Sequence, residues 1–333
     1  MTVVYSARYH IDIGPHVFPT EKYRLVSEAL ANAKWGRESF SRDGVEKGAR
    51  PLFLLAEPAP ASWDDLALVH TAGYLARMRD GTLSPEEVEQ VELPWSAEMV
   101  DGFRLMVGGT IEAAQIACGL AGQDGTLRPQ SARMRDSSAV SASSAFKVVA
   151  HIGGGLHHAF PNHGEGFCPF NDVAVAVRVL QRSGLERIAI VDLDVHHGNG
   201  TAFIFESDPR VFTFSMHQQH NYPMWKPKGS LDIGLPDGTR DATYLRQLED
   251  ALPAVIAHAP QCVFYLAGAD PYEDDQLGGL RLTKEGLRQR DRMVIHAVRD
   301  VGVPLVVTLA GGYARRLEDT VAIHAATITE ALG

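Results

Sequence analysis

The chain has 333 residues, 45% of them hydrophobic and 22% charged. That leaves ample apolar surface for a core and excludes a mainly disordered or collagen-like chain. No apolar run reaches the roughly 18 residues of a bilayer-spanning helix, and the net charge of −10 argues against direct nucleic-acid binding, which needs a basic footprint.

In chain order, helical patterns are expected over Glu21–Trp35, Ser62–Met78 and Ser96–Gly119. The Ser- and Ala-rich stretch Gly122–Ala145 has no apolar periodicity and is expected to form an exposed, flexible insertion. A strand over Phe146–Ala150 and a helix over Asn171–Gln181 come next. Strands over Arg187–Val195 and Arg210–Met216, a helix over Ala242–Ala257 and a strand over Cys262–Ala267 follow. The chain closes with a helix over Lys284–Arg299, a strand over Pro304–Leu309 and a helix over Arg315–Leu332. Runs such as IAIV and VPLVV are continuously apolar, as in strands buried on both faces of a parallel sheet. The alternation predicts an α/β fold, a mainly parallel central sheet with helices on both faces. A prior of about 150 residues per domain suggests two domains. No break in composition supports a boundary, so residues 1–333 read as one domain.

The N-terminal segment MTVVYSARYH has no basic stretch leading into an apolar one, so no secretory signal is expected. Cys118, Cys168 and Cys262 form no CxxC pair, which suits a reducing, cytoplasmic setting. Histidine is unevenly placed: eight of the 14 fall between positions 151 and 220. Histidine is both a common metal ligand and the usual acid/base near neutral pH, so a site is expected there.

Each central strand ends in polar, glycine-rich sequence. Ile188–Val195 runs into Asp192, Asp194 and His196. Alternation puts the three on one side of a strand, and buried carboxylates beside an imidazole need a compensating cation. Val263–Ala269 ends in Asp270. Asp194, His196 and Asp270 make three ligands with open positions, the pattern of a catalytic zinc. Phe146–Ala150 leads through three glycines to His157 and His158, which suit acid/base work. Pro304–Leu309 leads through Gly311 and Gly312 to Tyr313, a phenol that can donate to an oxyanion. The strand ending at Met216 adds Ser215 and His217. In open α/β sheets the site lies outside the carboxyl ends of the strands.

These segments resemble a known family. VDLDVHHGNGT, HIGGGLHHA, GFCPFND, LAGAD and LAGGY look like the zinc-dependent histone deacetylase family on the arginase–deacetylase fold, with similarity from about Tyr5 to His324. LPWS at Leu93–Ser96 and GGTIEAAQIA at Gly108–Ala117 are most similar to the class IV branch and its bacterial relatives. The resemblance implies a zinc ion on Asp194, His196 and Asp270. It implies His157 and His158 as a tandem acid/base pair, Asp192 bonded to His157, and Tyr313 as donor to the carbonyl oxygen. Gly166, Phe167 and Tyr222 would line the acyl channel, beside Gly311 and Gly312. A structural potassium ion would use Asp192, Ser215 and Met216, and a second would lie near Phe205, Asp208 and Val211.

The sequence departs from the family pattern in three places. Asn199 stands where class I members carry a second histidine-orienting aspartate, so His158 should be less basic than there. The 122–145 segment is an insertion. The family's substrate-gripping acid has no clear match, Glu92 being the nearest candidate. The implied activity is hydrolysis of an acyl-lysine amide in a protein or peptide. An acetylpolyamine amidohydrolase of the same fold is the alternative. An arginase-like dimanganese hydrolase would need a further acid where Tyr272 stands.

Overall fold

In the computed structural model, which describes residues 2–32, 54–120 and 146–333, the apolar runs form a sheet. Its strands are β1 (Thr2–Val4), β2 (Leu54–Ala56), β3 (Val148–His151), β4 (Ile188–Asp192), β5 (Val211–Gln218), β6 (Leu231–Leu235), β7 (Cys262–Leu266) and β8 (Leu305–Thr308). They pair in the order β2-β1-β3-β8-β7-β4-β5-β6, every pair parallel. Every residue of β3, β4, β7 and β8 is buried. That accounts for their lack of alternation, since both faces are covered. These four strands are contiguous at the centre of the sheet, so the loops leaving them open side by side.

Helices flank the sheet: α1 (Lys22–Asn32), α2 (Trp63–Leu66), α3 (Ala72–Asp80), α4 (Pro85–Val91), α5 (Ala97–Ala117), α6 (Asp172–Arg182), α7 (Asn199–Phe205), α8 (Asp241–Ala257), α9 (Lys284–Asp300) and α10 (Leu317–Leu332). They form two packed sets, α5 against α6, and α1, α10, α9 and α8 in succession. The long helix α5 starts at Ser96, whose hydroxyl accepts from Met99 N, and buries most of its length, Phe103 and Met106 among it. Gly109 lets α5 approach the sheet: a Cβ there would stand 2.2 Å from Tyr9 Oη and 2.4 Å from His151 Nε2. None of the described helices is long and apolar enough to cross a membrane.

Three expectations change. Ser62–Met78 is two helices, because the chain breaks at His70, which is buried with Nδ1 donating to Phe160 O (3.0 Å) and Nε2 accepting from Asn171 N (3.1 Å). Thr71 then caps α3 through Tyr74 N. Helices α4 and α7 and strands β1, β2 and β6 were not expected; each is short. The strand expected to reach Val195 stops at Asp192, because side chains take over the backbone amides beyond it. Asp192 Oδ1 accepts from Asp194 N (3.2 Å), and Asp270 Oδ1 from Val195 N (2.9 Å). Residues 33–35 of the first expected helix, and the insertion at 122–145, lie outside the described residues.

Candidate active site

Asp194, His196 and Asp270 come together at the carboxyl ends of β4 and β7. Each offers a ligand atom within 4.8 Å of the others, and all three are buried. They do not project from a strand in register with Asp192. The loop after Asp192 is instead shaped by Asp194, whose Oδ1 accepts from His196 N at 2.9 Å and whose Oδ2 accepts from Gly311 N at 2.8 Å. Among the described residues nothing hydrogen-bonds Asp270 Oδ2, although Asp270 is 0% exposed. Burial, and then the like charge of Asp194, push the Asp270 carboxyl up to about 7. Burial works against a charged His196, yet Asp194 and Asp270 outweigh it and hold the imidazole up at about 10. An orphaned carboxylate oxygen, a second buried acid and an imidazole are a donor set that fits a divalent cation such as zinc.

The loop after β3 carries His157 and His158 beside this triad. His157 Nδ1 donates to Asp192 Oδ2 at 2.7 Å, and its Nε2 lies 3.1 Å from His158 Nε2. His158 Nδ1 lies 2.7 Å from Asn199 Oδ1. The two rings differ in basicity. Burial disfavours charge on both, but Asp192 and Asp194 hold His157 up at about 9. His158, with a neutral amide in place of a carboxylate, is pushed well below its usual value by burial and by His157 and His196. The loop is fixed by Asp172 at the start of α6, whose carboxylate accepts from Leu156 N (2.7 Å) and Gly155 N (3.0 Å).

Tyr313 enters from the turn after β8. Gly311 must be glycine, since a Cβ there would lie 2.0 Å from Asp270 Oδ2. Ala310 takes a left-handed φ of 55° and Gly312 a φ of 149°. Tyr313 N donates to Asp275 Oδ2 at 2.7 Å. The ring lies 6.5 Å from that of His196 and 6.0 Å from that of Phe167. Burial, and then Asp194 and Asp270, push its phenol well above the usual range, so it stays a donor.

A cleft lined by Phe18, His158, Phe167, His196 and Tyr313 among others opens onto these groups. Gly166 and Phe167 form one wall with positive φ values of 53° and 64°. A Cβ on Gly166 would meet His158 Cδ2 at 2.8 Å. Tyr222 faces His158 with ring centroids 5.0 Å apart. Glu92 ends α4 on the surface, and His16 Nε2 donates to its carbonyl at 2.9 Å.

The remaining expected residues are dispersed. Asp192 and Ser215 are register partners on β4 and β5, with Met216 buried next to Ser215. Ser215 Oγ lies 3.0 Å from His217 Nδ1. Near Phe205 and Val211 the Asp208 carboxylate already pairs with Arg178 and Arg210, and the Arg178 guanidinium lies 4.8 Å from the Phe205 ring centre. That local cation disfavours a second potassium ion there. His151 belongs to a core network with Tyr9 and Thr110. Sequence reasoning missed Asp172, Asp275 and Lys22. Lys22 is 0% exposed and donates from Nζ to Ala310 O at 2.8 Å, behind the Tyr313 turn. An acid at a helix start, an acid five residues after Asp270 and a lysine opening a helix were the available signals, and each type is usually a surface cap or a solvated charge.

Comparison with known proteins agrees with this geometry. Residues 16–329 match the histone deacetylase domain. An uncharacterized protein of Picosynechococcus sp. is 39% identical over 97% of this chain and 95% of its own. Histone deacetylase 2 of Arabidopsis thaliana is 29% identical over 94% of this chain and 74% of its own. The histone deacetylase-like amidohydrolase of Pseudomonas aeruginosa is 32% identical, covering 78% and 66%. The crystal structure of the HDA15 HD domain superposes with a TM-score of 0.72 at 24% identity, covering 100% of this chain and 91% of that one. At that identity it speaks for the fold.

Proposed function

The chain belongs to the histone deacetylase family, and on that premise we propose that it is a zinc-dependent deacylase that hydrolyses the amide of N-ε-acyl-lysine in proteins or peptides. The observation that carries this reading is the meeting of the Asp194–His196–Asp270 triad with the paired His157 and His158 and the Tyr313 phenol. Asp194, His196 and Asp270 would hold the zinc, which when bound supplies Lewis acidity toward the acyl carbonyl and toward water.

The chain's own groups supply the rest. Phe167 and Tyr222 with Gly166 hold the apolar stem of the acyl-lysine and keep bulk water out of the cleft. Tyr313 donates its hydroxyl proton toward the carbonyl oxygen as charge grows there. One of the paired imidazoles takes the proton of the attacking water. Asp192 fixes the orientation of the His157 ring beside His158. His158, which faces the Tyr222 wall, returns a proton to the leaving lysine amine. A structural potassium ion beside Asp192, Ser215 and Met216 and a cytoplasmic setting, consistent with three free cysteines, belong to the same proposal.

The test is a panel of peptides carrying acyl-lysines from acetyl to long-chain acyl, with acetylputrescine alongside, assayed with and without a zinc chelator. Chelator-sensitive release of the acyl group as its carboxylate, leaving the free lysine amine on the peptide, is expected. Turnover of acetylputrescine alone would transfer the reading to a polyamine amidohydrolase, and no turnover of any member by metal-replete protein would remove it.

A further inference from the structure

Glu165 has no part in the site as described so far, yet it stands directly behind it. Its side chain is 15% exposed. Its Oε1 accepts from Asn199 Nδ2 at 2.7 Å and from the Tyr222 hydroxyl at 2.9 Å. Its Oε2 lies 3.4 Å from both Gln90 Nε2 and His163 Nε2. Burial raises the carboxyl, but hydrogen bonds from His163, Asn199 and Tyr222 more than offset that and hold it below the usual glutamate range. The group is therefore an anion, and an ionised carboxylate only accepts.

That property settles an ambiguity in Asn199. An amide has a donor end and an acceptor end, and nothing in the asparagine itself decides which faces His158. The Glu165 carboxylate cannot donate, so the amide NH₂ must turn toward it. The amide oxygen then turns toward His158 Nδ1, 2.7 Å away. An oxygen that only accepts requires a proton on Nδ1. In the neutral ring the lone pair is thereby left on Nε2, the nitrogen 3.1 Å from His157 Nε2.

We propose that Glu165 is a positioning residue that sets the tautomer of His158 through Asn199. It carries, one amide removed, the negative charge that position 199 lacks. The use made of the His158 proton rests on the deacylase reading; the tautomer itself does not. A merely structural Glu165, one that only pins the Tyr222 hydroxyl, would alter KM and leave the tautomer alone.

Long-range ¹⁵N–¹H NMR on metal-replete protein labelled in histidine reads the tautomer directly, with His158 assigned from its missing signal in His158→Gln. In the wild type Nδ1 is expected to carry the proton and Nε2 the lone pair. Glu165→Ala frees the amide to rotate. It is expected to give a mixture of tautomers and a kcat on acyl-lysine peptide lower by about 10- to 100-fold, beyond any change in KM from the freed Tyr222 hydroxyl. A single Nδ1–H tautomer with unchanged kcat in that variant overturns the proposal.

A second pair of variants remains decisive if Glu165→Ala does not fold. Asn199→Asp sets two carboxylates side by side and is expected to lower kcat. Adding Glu165→Gln supplies an amide that donates to the new carboxylate, which can then accept from His158. The double variant should exceed Asn199→Asp alone by about tenfold, and no gain would overturn the proposal. Failure of the wild type to hydrolyse any acyl-lysine peptide would remove the deacylase reading while the tautomer comparison still decided the role of Glu165.

Discussion

Tyr313 concentrates the chemistry at the scale of one side chain. Its backbone N–H is held by Asp275 and its ring is set against those of Phe167 and His196. Among the causes that raise its phenol, burial is the largest, followed by the two carboxylates of the triad. The hydroxyl therefore stays protonated over the working pH range and suits an oxyanion donor better than a base. Tyr313→Phe removes one oxygen from a buried position and leaves the triad intact. Zinc content by elemental analysis should remain that of the wild type. The kcat should fall by about 10² to 10³, as for loss of an oxyanion donor. Turnover close to the wild type would take Tyr313 out of the mechanism.

The turn after β8 shows what an element contributes. Gly311 offers its N–H to Asp194 and leaves no room for a side chain, because a Cβ would stand 2.0 Å from Asp270 Oδ2 and 2.6 Å from Asp194 Oδ2. Gly311→Ala must therefore spread the two carboxylates proposed to hold zinc. Zinc affinity, measured by competition with a chromophoric chelator, should drop by about tenfold or more, with kcat at saturating zinc also reduced; unchanged affinity would show that the turn yields instead. The place of this turn was legible because a buried apolar strand, two glycines and a tyrosine leave few alternatives. The loops after β3, β4 and β7 were placed in the same way, and the triad and the histidine pair stood out as candidates because several strand ends converge on one edge of the sheet. What was not legible depends on contacts between segments far apart in the chain. Strands β1, β2 and β6 are too short for a periodic signal. The break at His70 depends on partners at Phe160 and Asn171. Glu165, Asp172, Asp275 and Lys22 are charged residues whose burial follows from tertiary packing that no local pattern reports.

The whole molecule keeps several imidazoles neutral in its interior, and this couples its stability to pH. His70 is held down at about 4 by burial, and His151 at about 3 by the same cause. Both values lie below the 6.5 expected of the unfolded chain. Between these limits the unfolded chain binds protons that the folded chain refuses, so acid favours unfolding. The stabilisation is complete above pH about 6.5 and is lost progressively as the pH falls toward 4, each histidine contributing up to about 1.4 kcal/mol per pH unit. The triad also titrates, and its contribution changes with bound zinc, so the wild type alone would mix the two effects. His70 hydrogen-bonds Phe160 O and Asn171 N and none of the triad. Comparing His70→Gln with the wild type under identical metal loading therefore cancels what the triad adds. The glutamine amide keeps a donor and an acceptor and does not titrate. Urea unfolding at pH 7.5, 6 and 5 should show the variant less stable at pH 7.5, because the shape of the ring is lost. Between pH 6 and 5 its stability should fall less steeply, by about 1 kcal/mol per unit. Parallel slopes for the two proteins would mean that His70 takes up its proton in the folded state, and that the acid sensitivity comes from elsewhere in the core.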